Sequence, residues 1–342
     1  MLVKLPGTGI RRGVDALNAA YSARLRSRTY ATAALNVAPS PDVVSVTTAD
    51  GARLRVHAYG PADGDVIVLI HGWSCCVEYW NPQINEFSAD YRVVAYDQRG
   101  HGESTSGTER FGPDRLAEDL SAVLDAVLPP GRRAVLVGHS MGGMTIQAWA
   151  QRFPEQVATR ASAIMLATTA AGRITGRAKI IPLLNEVVPA PVWLAQALFG
   201  APLPLPGSVA VRELFKNRIM GPTAEAEAAA FGLSIIRSCN PMVRGAVARD
   251  LTTLDLAEAA AHITVPTSVI AGEHDKLLPR VHSEEIAELL AANGSLDRFT
   301  VLPTGHLPNI EAPDAFNAEL RRLIRVAQTT VPRLRPGGAA AS

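Results

Sequence analysis

Between residues 65 and 327 the chain alternates short apolar runs with longer stretches whose apolar residues recur at helical spacing. DVIVLI at 65–70 is a continuous apolar run, as a strand buried on both faces should be. YRVVAY at 91–96 repeats the pattern. Residues 115–128 read as a helix, with Leu116, Leu120, Val123, Leu124 and Val127 on one face. A strand at 133–137, a helix at 144–153 and a strand at 161–167 follow. After a gap come a strand at 267–271, a helix at 282–292, a strand at 298–302 and a helix at 314–327. Ahead of all these, 43–48 and 53–58 flank Asp50-Gly51, a hairpin signal. Strands alternating with helices imply an α/β fold with a mostly parallel, doubly wound sheet covered on both faces.

The gap is itself informative. Residues 171–255 are helical in pattern, carry Pro182, Pro189, Pro191, Pro202, Pro204 and Pro206, and are too long for a connecting loop. They read as a helical cap inserted into a core made of 41–170 and 256–328. The stretch 329–342, with Pro332, Pro336 and Gly337-Gly338, reads as a disordered tail.

Residues 1–40 form a basic extension, with Lys4, Arg11, Arg12, Arg24, Arg26 and Arg28 against Asp15. Ile10, Val14, Leu17 and Tyr21 share one helical face. Such a helix either touches a membrane surface or packs on the body or over a substrate entrance. The short, alanine-diluted apolar face favours packing. The start lacks the apolar core of ~7–15 residues that a signal peptide needs. Over the whole chain the charge is only +1, with no electrostatic case for nucleic acid. Three cysteines, two of them adjacent, are a poor disulfide framework. They place the chain in a reducing, cytoplasmic compartment, with peripheral membrane contact through 1–40 as the alternative.

After the strand at 133–137 comes Gly138-His139-Ser140-Met141-Gly142, then Gly143 and a helix. This is G-x-S-x-G in strand–turn–helix context. The tight turn demands small flanking residues, lifts the serine hydroxyl above the sheet edge, and aims the positive end of the helix at it. A serine hydroxyl needs a base, and the base an orienting acid. Downstream, the strand at 267–271 runs into Gly272-Glu273-His274-Asp275, and the strand at 298–302 into Pro303-Thr304-Gly305-His306. Both sets lie at the carboxyl ends of strands, the edge where open α/β sheets bind ligands.

Together with His71-Gly72-Trp73 and Asp97-Gln98-Arg99-Gly100-His101-Gly102-Glu103-Ser104, these motifs give a clear resemblance. From about 42 to 327 the chain resembles α/β-hydrolase fold proteins of the esterase, lipase and haloperoxidase-like branch. The resemblance implies that Ser140 is the nucleophile, His306 the base and Asp275 the acid. It implies an oxyanion hole from the backbone N–H groups of Trp73 and Met141, and no cofactor or metal. Glu273 is the rival acid, but the family spacing Gly-x-x-Asp selects Asp275. Some relatives place the acid after the strand at 161–167, where this chain has Thr168-Thr169-Ala170. Among the other histidines, His71 and His101 sit in loops where the family uses histidine structurally, and His139 packs in the elbow. Cys75 and Cys76 have no histidine partner by motif and read as buried or wall-lining. Asp97 and Arg99 read as holding their loop. His71, Gly72, Trp73 and Trp193 are candidates for the substrate pocket.

The serine also bears on mechanism. Related epoxide hydrolases and haloalkane dehalogenases carry an aspartate at the elbow, so the resemblance implies acyl transfer on a small ester or lipid substrate. The apolar cap sequence (Ile180-Ile181, Leu183-Leu184, Val187-Val188, Val192-Trp193-Leu194, Leu198-Phe199) suggests a lipophilic one. Three other activities fit the same residues. These are cofactor-free perhydrolysis or haloperoxidation, carbon–carbon bond hydrolysis (disfavoured by Leu307 where relatives have tryptophan), and ligand reception without turnover.

Overall fold

In the computed structural model, which describes residues 8–37, 40–172, 205–251 and 254–330, the alternation forms one eight-stranded sheet. A helix α1 (Thr8–Ser27) precedes the hairpin of β1 (Asp42–Thr47) and β2 (Arg53–Tyr59). Gly51 takes φ 81° at its turn, a conformation that favours glycine. Then come β3 (Val66–Ile70), α2 (Asn81–Phe87), β4 (Arg92–Tyr96), α3 (Pro113–Val127), β5 (Ala134–His139), α4 (Met141–Arg152), α5 (Pro154–Arg160) and β6 (Ala161–Ala167). The described part of the cap contributes α6 (Val209–Ile219), α7 (Ala226–Ser238) and α8 (Pro241–Leu251). The chain returns through β7 (Thr267–Gly272), α9 (Val281–Ala292), β8 (Leu296–Leu302), α10 (Pro308–Glu311) and α11 (Pro313–Thr330).

The strand order is β1-β2-β4-β3-β5-β6-β7-β8. β2 joins β4 antiparallel, and from β4 to β8 every pair is parallel. Side chains alternate across the sheet as the pleat requires. Val66, Val68 and Ile70 pack with Leu120, Leu124 and Ile146 of α3 and α4. Ile67 and Leu69 pack with Ile84, Phe87, Phe316 and Leu320 of α2 and α11 on the other face. All of β3 is buried, which explains its unbroken apolar run.

Three features differ from the sequence expectation. α4 begins at Met141, three residues before the expected start at 144. Gly142 and Gly143 disfavour helix by propensity, but a Cβ on Gly142 would lie 2.0 Å from the Ile70 carbonyl oxygen, so close approach of helix to strand dictates glycine there. α2, α5 and α10, of seven, seven and four residues, are too short to show a periodicity and were not expected. The expected tail begins too early, because Thr329 and Thr330 continue α11. Trp193 and the apolar runs of 180–199 lie outside the described residues.

The N-terminal segment packs on the body. The Arg237 guanidinium of α7 lies 4.3 Å from the Tyr21 ring centroid, and Tyr30 meets Phe231 edge-on at 5.3 Å. Glu227 accepts hydrogen bonds from the backbone N–H groups of Ala31 and Thr32 and from the Thr32 hydroxyl. Arg26 donates to Glu78 at 2.8 Å, just beyond the loop that follows β3. Among the described residues no helix is long and apolar enough to cross a membrane.

Candidate active site

Ser140 occupies the turn between β5 and α4 with φ 53° and ψ −119°, a conformation that strains any residue with a Cβ. The surroundings hold it there. Its N–H donates to the Ala167 carbonyl at 3.0 Å, and its carbonyl accepts from the Thr169 hydroxyl at 2.7 Å and the Gly143 N–H at 2.9 Å. The strain keeps the side chain at the carboxyl edge of the sheet, where it is 8% exposed.

His306 lies between β8 and α10, and its Nε2 is 3.0 Å from Ser140 Oγ. Its Nδ1 is 2.7 Å from Asp275 Oδ2. The other oxygen, Asp275 Oδ1, accepts the Leu277 and Leu278 N–H groups at 2.8 and 2.9 Å. The carboxylate is therefore fixed, with Oδ2 left for the imidazole. It selects the tautomer with the proton on Nδ1, so the Nε2 lone pair faces the serine hydroxyl. Asp275 and His306 are 6% and 4% exposed, so the pair is shielded from bulk water. The rival Glu273 is exposed.

A family model described as the alpha/beta hydrolase family matches residues 67–319, most of the chain and all three of these residues. The chain belongs to the alpha/beta hydrolase family. This hydrolase is 29% identical over 297 residues to a bifunctional esterase/perhydrolase of Acinetobacter calcoaceticus, covering 82% of this chain and 99% of that protein. It is 27% identical over 281 residues to 3-oxoadipate enol-lactonase 2 of Acinetobacter baylyi, covering 81% and 95%. A solved thermophilic esterase from Thermogutta terrifontis shares the fold with TM-score 0.66 at 23% identity, covering 84% of this chain and 99% of that one.

Around Ser140, the hydrolase packs Gly72 so tightly that a Cβ there would come within 3.1 Å of Ser140 Cβ. This brings the start of the His71-Gly72-Trp73 loop against the elbow. Met141 is the first residue of α4, so its N–H has no acceptor within the helix. The half-buried Trp73 donates its indole N–H to the Arg244 carbonyl of α8 at 3.0 Å, tying this loop to the cap. His71 is not placed as a pocket wall. Its ring is fully buried, Nδ1 is 2.7 Å from the Gly72 carbonyl, and Nε2 accepts the Gln98 N–H at 3.0 Å. Burial pushes its pKa down to about 3, so it stays neutral and serves as a loop support.

The Asp97 and Arg99 loop is held as its sequence suggests. Asp97 accepts the Val77 N–H at 2.7 Å, the Glu103 N–H at 2.8 Å and an Arg55 N–H at 3.1 Å. Burial pushes its carboxyl up to about 6 against those donors. Arg99 bridges Asp119 and Asp50, all three side chains being buried. Cys75, Cys76 and Cys239 are free and buried, and burial drives the Cys239 thiol up to about 12 and the other two up as well. Thiols held protonated in this way are poor nucleophiles. Among the described residues no group of three or more His, Cys, Asp or Glu could hold a metal ion.

Sequence reasoning missed the contacts that hold the His306 loop. The His306 carbonyl accepts from the Thr168 hydroxyl at 3.1 Å and lies 2.7 Å from His139 Nε2, while the His139 and His306 ring centroids are 4.9 Å apart. Glu311 brackets the same loop through backbone N–H groups. No periodicity marks these residues. The available signals were that His139 and Glu311 lie within a few residues of Ser140 and His306, and that Thr168 directly follows β6.

Proposed function

We propose that this alpha/beta hydrolase is a serine esterase that cleaves carboxylic esters of lipophilic substrates through an acyl-enzyme. The reading is carried by the continuous path from Ser140 Oγ through the His306 ring to Asp275, at 3.0 and 2.7 Å. In the first half-reaction His306 Nε2 takes the Ser140 proton as Oγ attacks the ester carbonyl. The ionised Asp275 stabilises the imidazolium that forms. The tetrahedral oxyanion would be met by the N–H groups of Trp73 and Met141, a pair of fixed donors near the positive end of α4. His306 then protonates the departing alcohol. In the second half-reaction it takes a proton from water, which attacks the acyl group; the acyl–Oγ bond then breaks, His306 returns that proton to Ser140 Oγ, and the acid leaves. The likeness to an esterase/perhydrolase supports one further outcome: hydrogen peroxide could replace water at that step, giving a peracid.

A panel of p-nitrophenyl esters from acetate to palmitate tests the reading. Turnover should rise with acyl chain length from acetate, and Ser140→Ala should abolish both hydrolysis and labelling by a fluorophosphonate. Persistent labelling of the Ser140 variant would show that the nucleophile is another residue. A preference for acetate would refute the lipophilic substrate, and adding hydrogen peroxide to the same assay measures the competing acyl acceptor.

A further inference from the structure

The three backbone N–H groups from Gly305 to Leu307 are all held. The Gly305 N–H donates to Glu311 Oε2 at 2.9 Å, and the Leu307 N–H donates to Glu311 Oε1 at 2.9 Å. Between them, the His306 N–H donates to the Ile219 carbonyl at the end of α6, at 2.7 Å. One carboxylate thus spans the base, and the base itself is bonded to the cap. The same Glu311 Oε2 accepts a third N–H, that of Gly221, at 2.6 Å, from the turn that links α6 to α7. The two loops lie in direct contact. A Cβ on Gly305 would come within 2.4 Å of the Met220 carbonyl carbon, and one on Gly221 within 3.0 Å of the Gly305 nitrogen.

We propose that Glu311 is the positioning residue of the base loop, and that its carboxylate makes the orientation of His306 depend on the seating of the helical cap. This rests on the esterase reading, in which His306 is the base. Burial pushes the Glu311 carboxyl up from its ordinary value, and its three partners, all N–H donors that favour the carboxylate, work against that rise. An ionised Glu311 is a second negative charge near His306, beyond Asp275, and attracts the imidazolium formed at each proton transfer. The other titratable groups here are Tyr79, whose phenol burial keeps protonated, and His139, which burial keeps neutral. Displacing Gly221 would remove one donor from the oxygen that also holds Gly305. Movement of the cap would then pass into the base loop without any contact between the cap and the imidazole ring.

The test uses the full chain and a short-chain p-nitrophenyl ester. Wild type must first label with a fluorophosphonate at Ser140; if it does not, the esterase reading fails and not this inference. Glu311→Gln keeps the volume, removes the charge and turns a donor toward one of the N–H groups. Its kcat should fall about tenfold to a hundredfold with KM within twofold. The acid limb of kcat should also move to lower pH by about half a unit to one unit, because the imidazolium has lost an attractive charge. Glu311→Asp keeps the charge and shortens the reach. It should lower kcat while leaving the acid limb within about 0.2 unit of wild type, and it serves as the readout if Glu311→Gln does not fold. A folded Glu311→Gln with wild-type kcat and acid limb overturns the proposal. So does a loss of activity in either variant that follows the loss of folded protein alone, with the acid limb of the remaining enzyme unmoved for Gln and kcat per labelled site unchanged for Asp.

Discussion

Mild acid should unfold this protein, and the buried histidines set how far. His71, His101 and His139 are fully buried, with burial pushing His71 down to about 3, His101 down to about 4, and His139 well below the ordinary imidazole value. The cause is visible at His71, where a proton on Nε2 would face the Gln98 N–H. In the unfolded chain each of the three takes a proton near pH 6.5. The unfolded state therefore binds more protons, and stability falls as pH drops through 6.5. From pH 7 to 5 His71 and His101 each remove about 2 kcal/mol, and His139 acts in the same direction. Asp97, raised to about 6 in the fold, works the other way and returns about 1 kcal/mol over the same interval. The net loss of about 3 kcal/mol, to which His139 adds, is a large fraction of the stability of many domains. Urea titrations at pH 7, 6 and 5 would measure it as a falling midpoint with an unchanged slope. His101→Gln should make the decline shallower by about 2 kcal/mol. A stability that changes by less than about 1 kcal/mol between pH 7 and 5 would refute the reasoning.

Two further substitutions test the site and its frame. Asp275→Asn should lower kcat by orders of magnitude, ~10⁴ in a comparable triad, whereas Glu273→Gln, on an exposed side chain, should stay within twofold in the same ester assay. Arg99→Met leaves the buried carboxylates of Asp50 and Asp119 without their shared partner. It should lower the denaturant-derived stability by about 3–5 kcal/mol, and a loss below 1 would mean that water replaces the guanidinium.

The sheet was legible because its strands are buried on both faces and so carry unbroken apolar runs; β3, β5 and β6 match their expected ranges within two residues. The candidate triad was legible because the chemistry proposed for it demands particular residue types just after those strands, and Ser140, Asp275 and His306 do meet in space. The start of α4 was misplaced because the glycines that let it approach β3 are poor helix formers. α2 was missed because its inward side chains include Asn81 and Gln83, buried polar groups that break the apolar pattern. Gln83 is satisfied only by partners more than two hundred residues away, at Asn309 and Asn317. Glu311 was invisible for a related reason. Its partners are backbone N–H groups, which leave no trace in the identity of the residues that carry them.

The segment before the hairpin has a practical consequence for anyone trimming this protein. The match to the family model begins at 67. Yet Tyr30 covers Phe231, and Glu227 holds the N–H groups of residues 31 and 32. A chain shortened to the matched part would strip an aromatic surface off α7 and leave Glu78 without its Arg26 partner. The cap would then rest on one side against solvent. In this protein the start of the family-model match and the start of the packed structure are different places, roughly forty residues apart in the chain.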